Sequence, residues 1–138
     1  MTNVGIVILV TDFINHIQCI IQIEILVNLQ TVSTHYIIDR EGNVECYIPE
    51  DRAAWHAGRG TWLDDEKYTN KMNYYAIGIE LAGMGSAEDM SIYMSKAAYN
   101  ALPDSYKCFT DQQYDALKLL VADLCGRYDL PMDREHII

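Results

Sequence analysis

Glu80 is the acidic residue whose position most favours chemistry. It closes the apolar run Ala76–Ile79 and is followed by Leu81. Such a run predicts a buried central strand, with the Glu80 carboxylate emerging from its end. A carboxylate that is partly removed from water becomes more basic, which suits a general base. A solvated glutamate at a strand end is the other interpretation.

A second candidate group is the segment Trp55–Gly58, which reads Trp-His-Ala-Gly and follows Pro49 and the charged pair Asp51-Arg52. These residue types predict a loop. An aromatic ring that stacks on a ligand, beside an imidazole that donates to it, is typical of a binding groove. The alternative is a structural role, with Trp55 buried as a core plug and His56 bonded to the backbone.

The spacing of histidine and cysteine does not reveal a metal site. No two histidines are four positions apart on one helix, so a zinc site would have to be assembled from distant segments. No Cys-x-x-Cys pair is present, which argues against a zinc knuckle or redox motif, and we expect core thiols in a reducing compartment. The residues are His16, His35, His56 and His136, and Cys19, Cys46, Cys108 and Cys125.

Composition bounds the class of protein. The 138 residues are 50% hydrophobic and 22% charged, which predicts one globular domain that acts as a monomer. The net charge of −10 argues against nucleic acid and anionic membranes as partners.

No segment near the N-terminus reads as a targeting or membrane-spanning sequence. No Lys or Arg precedes the short apolar run Ile6–Val10, and polar residues interrupt Ile17–Leu29. We therefore expect no signal peptide, no membrane span and synthesis in the cytoplasm.

Strands and helices alternate in the predicted order. Ile6–Val10 predicts a first strand, and apolar spacing from Asp12 to Leu29 predicts a helix. The stretches around Tyr36 and Cys46 flank a polar turn with a glycine, which predicts a β-hairpin. The run that ends at Glu80 is the next strand.

The second half of the chain predicts a loop-rich insert and one long helix. The insert lies between Leu81 and Phe109, with a helical turn around Ser95 to Ala101. Thr110, followed three positions later by Gln113, predicts a capped helix that ends near Tyr128. The last three residues, His-Ile-Ile, read as the start of another buried strand.

Three ordered motifs together resemble one enzyme family. They are Val32–Gly42, Ile48–Gly58 and Asn73–Glu80, and Phe109–Gln113 opens a helix in the expected place. The segments are similar to the zinc-dependent N-acetylmuramoyl-L-alanine amidases, the family of phage endolysins, bacterial autolysins and muropeptide-recycling amidases. That family is related in fold to the peptidoglycan recognition proteins. The resemblance runs from Val32 to the last residue.

The resemblance implies an α/β (α+β) fold with a mixed central sheet flanked by helices, and a shallow groove that holds one zinc ion. Zinc-activated water would cleave the amide between N-acetylmuramic acid and L-alanine, with Glu80 as the base. Trp55, His56, Asn73 and His35 would lie on the substrate side. The implied partner is peptidoglycan or a muropeptide, met after lysis or during recycling.

The metal ligands are where the chain departs from the family. The family carries its first ligand as a histidine at the end of the first strand, where this chain has Leu9; His16 is the weaker substitute. The other two ligands are expected directly after Ile138, and His136 is expected to be structural. We therefore expect residues 1–138 to form one amidase-like domain that lacks its C-terminal metal-binding segment and does not hold zinc stably.

Two other functions compete with hydrolysis. A non-catalytic muropeptide-binding domain on the same fold is the first alternative. An intracellular interaction protein is the second, and it leaves the coexistence of Glu80 with the Trp-His-Ala-Gly loop unexplained.

Overall fold

A four-stranded mixed sheet forms the centre of the computed structural model, which describes the backbone of residues 5–11 and all of residues 33–138. The spatial order is β1-β4-β2-β3. Strand β4 is parallel to both of its neighbours, and β3 pairs antiparallel with β2 at the edge. The predicted mixed sheet is confirmed. The strands are β1 Gly5–Thr11, β2 Tyr36–Ile38, β3 Val44–Cys46 and β4 Ala76–Ala82.

The predicted hairpin joins β2 to β3 through a turn that Asp39 organises. Its carboxylate accepts hydrogen bonds from the backbone N–H groups of Glu41 and Asn43 at 3.0 and 2.8 Å. Gly42 in this turn has φ of +86°, a conformation that glycine adopts without steric cost. The turn thereby fixes the direction in which β3 returns.

The helices of the described residues lie in the second half of the chain. They are α1 Lys96–Ala101, α2 Asp104–Lys107 and α3 Asp111–Tyr128, with 3₁₀ turns at Met72–Tyr74 and Asp89–Ile92. Helix α3 begins with the predicted capping box of Thr110 and Gln113. It ends before Asp129, which has the left-handed φ of +53°. The helix predicted between Asp12 and Leu29 lies outside the described residues.

One face of β4 packs on α3 and forms the core. Ile77, Ile79 and Leu81 of β4 are buried with Val121 and Leu124 of α3. Because side chains alternate along a strand, the other face of β4 carries Ala76, Gly78, Glu80 and Ala82. The core therefore anchors the strand, while a face of small residues surrounds Glu80.

One sequence expectation is wrong in detail. Cys46 and Cys108 are exposed, and only Cys125 of the described cysteines is a core thiol. At residues 134–136 the chain forms a turn, in which the Asp133 carboxylate accepts from the N–H groups of Glu135 and His136. Ile137 then makes a single bridge, and the strand predicted to start in the last three residues stays a prediction. Over the described ranges, no helix is long and apolar enough to cross a membrane.

Candidate active site

Glu80 lies at the centre of the sheet, near the carboxyl end of β4. Its exposed fraction is 4%, so the interpretation as a solvated strand-end residue is wrong. In the ladder it stands opposite Leu9 of β1 on one side and Ile37 of β2 on the other. The carboxylate that the sequence predicts for chemistry is thus held by a rigid, fully paired strand.

His56 packs flat against Gly78, two residues before Glu80 on the same strand. A Cβ atom on Gly78 would lie only 2.5 Å from the His56 ring, so only glycine leaves room for the imidazole. The His56 Nε2 donates to the carbonyl of Ala76 at 3.3 Å, and Nδ1 has no partner among the described residues. Burial, with a smaller contribution from His35, lowers the pKa of His56 to about 4. The ring is therefore neutral near pH 7.

His35 is fully engaged by backbone groups. Its Nδ1 accepts from the Gly78 N–H at 2.9 Å, and because that nitrogen is an acceptor, Nε2 is the donor to the Arg52 carbonyl at 3.0 Å. Burial lowers the pKa of His35 as well. The His35 and His56 rings meet edge to face with centroids 5.5 Å apart. The two histidines form a neutral pair against one glycine.

Asn73 holds the Trp-His-Ala-Gly loop in place. Its side-chain oxygen accepts from the N–H groups of His56 and Ala57 at 2.9 and 2.8 Å. The residue is buried, at 8% exposure, in the 3₁₀ turn that precedes β4. Its carbonyl thus satisfies two loop donors that would otherwise lack partners.

Trp55 is the exposed member of the predicted group. Its exposed fraction is 51%, so it is not a core plug, whereas its neighbour His56 is buried and bonded to the backbone. The Trp55 N–H donates to Ser33 Oγ at 2.9 Å, and its carbonyl accepts from the Ser33 N–H at 3.0 Å. The structural interpretation therefore holds for His56 and fails for Trp55.

Two clefts lie beside this loop, with volumes of about 230 and 150 Å³. Both are bordered by Trp62, Met72 and Ile138, and the smaller one reaches Ala57 and Gly58. Neither is lined by Glu80. The larger cleft contains the Glu135 carboxylate, which is exposed, whereas Glu80 is the buried carboxylate of the family motif.

The comparison with known proteins identifies the family. A family model described as N-acetylmuramoyl-L-alanine amidase matches residues 9–138. The chain belongs to this amidase family. The resemblance of the three motifs and the predicted fold are thereby confirmed.

Curated proteins similar to this chain are also named as amidases. The 1,6-anhydro-N-acetylmuramyl-L-alanine amidase AmpD of Escherichia coli K12 is 31% identical over 104 residues, which cover 75% of this chain and 50% of that protein. AmpD of Haemophilus influenzae is 33% identical over 81 residues, covering 57% of this chain and 42% of that one. The chain spans about half the length of the curated relatives it matches.

Solved structures share the fold. AmpDh3 from Pseudomonas aeruginosa superposes with a TM-score of 0.68 at 19% identity, covering 99% of this chain and 50% of that one. AmiD from E. coli, solved with anhydro-N-acetylmuramic acid-L-Ala-D-gamma-Glu-L-Lys, gives 0.61 at 20% identity, over 99% of this chain and 48% of that one. At this level of identity the likeness concerns the fold alone.

Amidases of this family generally depend on zinc, and the described part of the chain does not fit that metal. Within residues 33–138 no three His, Cys, Asp or Glu side chains lie together as a metal site. Both nitrogens of His35 are engaged, and His136 Nδ1 contacts Asp133 at 2.6 Å. The metal candidate His16 lies outside the described residues.

Sequence reasoning missed two partners that hold the site. The Ser33 hydroxyl and N–H bind the backbone of Trp55, and the Arg52 carbonyl accepts from His35. Gly78 was identifiable, because a glycine inside an apolar strand indicates a close approach. Spacing alone could not show that the approaching group is His56.

Proposed function

We propose that this chain is part of a peptidoglycan amidase that hydrolyses the bond between N-acetylmuramic acid and the L-alanine of the stem peptide. The observation that carries the proposal is the buried carboxylate of Glu80 on β4, within the segment Ile77–Glu80 that resembles the family's catalytic motif. The names of the curated relatives support this bond as the target. Family membership favours hydrolysis over muropeptide binding alone.

Glu80 acts as the general base in this proposal. It accepts a proton from water, whose oxygen bonds to the carbonyl carbon of the lactyl group. The same proton is then delivered to the alanine nitrogen as the carbon–nitrogen bond breaks. A positioned base of this kind contributes about 10²- to 10⁴-fold to the rate.

The other predicted site residues divide into two roles. Trp55 is exposed and available to contact the substrate, whereas His35, His56 and Asn73 are buried and bonded to backbone groups. We assign the three buried residues to positioning. They fix the loop that presents Trp55, and they hold it against the strand that carries Glu80.

A zinc site in this chain would require residues outside the described ranges, since residues 33–138 contain no cluster of three ligands. We propose that residues 1–138 alone hold zinc weakly, because a single ligand does not replace the hydration shell of the ion. Metal analysis after dialysis tests this statement. Stoichiometric zinc would contradict it.

Product analysis tests the reaction. This chain and a longer form that carries the remaining zinc ligands, both supplied with zinc, are incubated with a muramyl-L-alanyl peptide, and mass spectrometry locates the water added by the longer form. The proposal predicts a free amino terminus on L-alanine and an intact muramic acid carboxyl. Substrate binding without release of this peptide would favour the non-catalytic alternative. Purified cell wall and soluble muropeptides, compared as substrates, separate action after lysis from action in recycling.

A further inference from the structure

We propose that Glu50 is a positioning residue for the strand that carries Glu80. Its carboxylate anchors the turn of residues 49–52, and that turn fixes how the His35 ring binds β4. The inference rests on the proposed function, because the role of Glu80 as a base comes from there.

The Glu50 carboxylate accepts four hydrogen bonds from three side chains. The Arg127 guanidinium donates to both oxygens, at 2.6 and 2.7 Å. The Tyr128 hydroxyl donates to Oε2 at 2.5 Å, and the Tyr36 hydroxyl donates to Oε1. Because Tyr36 begins β2 and the other two residues end α3, the carboxylate joins its turn to two separate elements.

This anchor is a charged group at neutral pH. The hydrogen bonds from Arg127 lower the pKa of Glu50 to about 2, although burial opposes them. The Glu50 side chain is 14% exposed. Four bonds occupy the acceptor positions of a carboxylate, and a largely buried carboxylate is costly to leave unpaired. The turn is therefore held firmly at Glu50.

The anchored turn presents a carbonyl to His35. Glu50 is the second residue of the turn, which the Arg52 N–H closes by donating to the Pro49 carbonyl at 3.0 Å. The Arg52 carbonyl accepts from His35 Nε2 at 3.0 Å. His35 directly precedes Tyr36, so two adjacent residues hold the same turn, one at Glu50 and one at Arg52. The anchor at Glu50 thus restricts where the Arg52 carbonyl points.

His35 binds both backbone groups of Gly78. A neutral imidazole has one donor nitrogen and one acceptor nitrogen. Because the Arg52 carbonyl takes the proton of Nε2, Nδ1 is the acceptor for the Gly78 N–H, at 2.9 Å. The His35 backbone N–H donates to the Gly78 carbonyl at 3.2 Å. These bonds lie directly before the ladder in which Ile37 stands opposite Glu80.

The other tautomer of His35 would break this contact. With the proton on Nδ1, the ring would set one N–H against the N–H of Gly78, and its bare Nε2 would face the Arg52 carbonyl. Two hydrogen bonds would be lost at the start of the ladder, two residues before Glu80. Glu50 therefore acts on the base through backbone geometry.

NMR on the 138-residue chain tests this route without any reaction. Long-range proton–nitrogen spectra identify the His35 tautomer, and wild type should show the form protonated on Nε2. Glu50→Ala should populate both tautomers and speed hydrogen exchange of the Gly78 amide by about tenfold. Asp115→Ala is the matched control, because it removes another ion pair of α3, with Lys118 at 2.9 Å. It should leave both signals unchanged.

Turnover tests the link to the base. In a longer form of this chain that carries the remaining zinc ligands, with zinc supplied, Glu50→Ala should lower kcat for a muramyl-L-alanyl peptide by about 10- to 100-fold. KM should stay unchanged, because the carboxylate has its acceptor positions occupied within the protein. Asp115→Ala should keep both constants.

The outcomes separate this inference from the proposed function. A folded Glu50→Ala protein with the wild-type tautomer and wild-type Gly78 exchange overturns the inference, whatever the longer form does. Changed NMR signals with an unchanged kcat overturn it as well, since the contact then does not position the base. A Glu80→Gln variant with full turnover counts against the proposed function alone, and the NMR signals still decide whether Glu50 holds His35.

A milder variant keeps the test decisive if Glu50→Ala does not fold. Tyr128→Phe removes one of the four donors to Glu50. It should speed Gly78 exchange by less than Glu50→Ala is expected to, and by more than Asp115→Ala does. Exchange equal to that of the control overturns the inference.

Discussion

His56 and Gly78 show how a single missing side chain shapes the site. The imidazole occupies the space that a Cβ on Gly78 would fill, and His35 takes the backbone N–H of the same glycine. Both rings are buried and neutral near pH 7, so they act as spacers between the loop and the sheet.

Gly78→Ala should destabilise the fold and displace the loop. The new methyl group would meet the His56 ring at 2.5 Å, and overpacking of this kind costs about 1–3 kcal/mol. Urea unfolding measures the loss. Gly60→Ala is the matched control, because a Cβ there meets nothing within 4 Å, and it should stay within about 0.5 kcal/mol of wild type. Equal stability of the two variants would contradict this packing.

The histidine pair makes stability fall as the solution is acidified. The pKa of His56 is lowered to about 4 from 6.5, so the unfolded chain binds a proton between these values and the native chain does not. Stability is therefore complete above pH 6.5 and declines below it. Between pH 7.5 and 5 the loss should be about 2 kcal/mol, and His35 adds to it in the same direction.

Urea unfolding at several pH values measures the slope of the free energy of unfolding against pH. His56→Gln should flatten it, because the buried imidazole that resists protonation is then absent. A wild-type protein whose stability is constant or rises between pH 7.5 and 5 would show that the histidines are not buried as described.

At the scale of elements, helix α3 is joined to the sheet through Gln113. The residue is fully buried, and its Nε2 donates to the carbonyls of Ile38 and Ala82, at the ends of β2 and β4. Its Oε1 accepts from the N–H of Thr110, which completes the capping box. One side chain therefore sets where the helix starts and how it meets the strand that carries Glu80.

Gln113→Ala should cost about 2–3 kcal/mol, because it leaves two buried carbonyls unpaired and removes half of the capping box. Gln112→Ala, one position away and exposed, is the control and should have little effect. Thermal or urea unfolding compares them. Similar losses for both variants would mean that the buried hydrogen bonds of Gln113 do not stabilise the fold.

Local signals in the sequence were sufficient for the longer elements. The Gly42 turn predicted the hairpin, the apolar run predicted β4, and Thr110 with Gln113 predicted the start of α3. Helix α2 and the 3₁₀ turn Asp89–Ile92 were missed, because a single helical turn is too short to show periodicity. The exposure of Cys46 and Cys108 was missed because it depends on neighbours distant in sequence.

At the scale of the whole molecule, the parallel pairing of β1, β4 and β2 creates the site. The pairing brings Leu9 and Ile37 into register with Glu80 from positions far along the chain. The spacing of residues along the sequence does not show which strands pair or in which register. The local pattern around Glu80 therefore could not decide between a buried and a solvated carboxylate. The resemblance to the family motifs identified Glu80 as a candidate. The sheet topology explains its burial, because β4 lies between β1 and β2.

The central claim is that Glu80 is the base of an amidase, and turnover of the Glu80→Gln variant tests it most directly. Gln keeps the size of the side chain but accepts no proton from water. In a longer form of this chain that carries the remaining zinc ligands, with a muramyl-L-alanyl peptide and zinc supplied, the variant should bind substrate and unfold as the unsubstituted protein does. Its kcat should fall by about 10²- to 10⁴-fold. Glu66→Gln, on an exposed loop, should keep full turnover. A Glu80→Gln protein whose kcat matches that of Glu66→Gln would contradict the account.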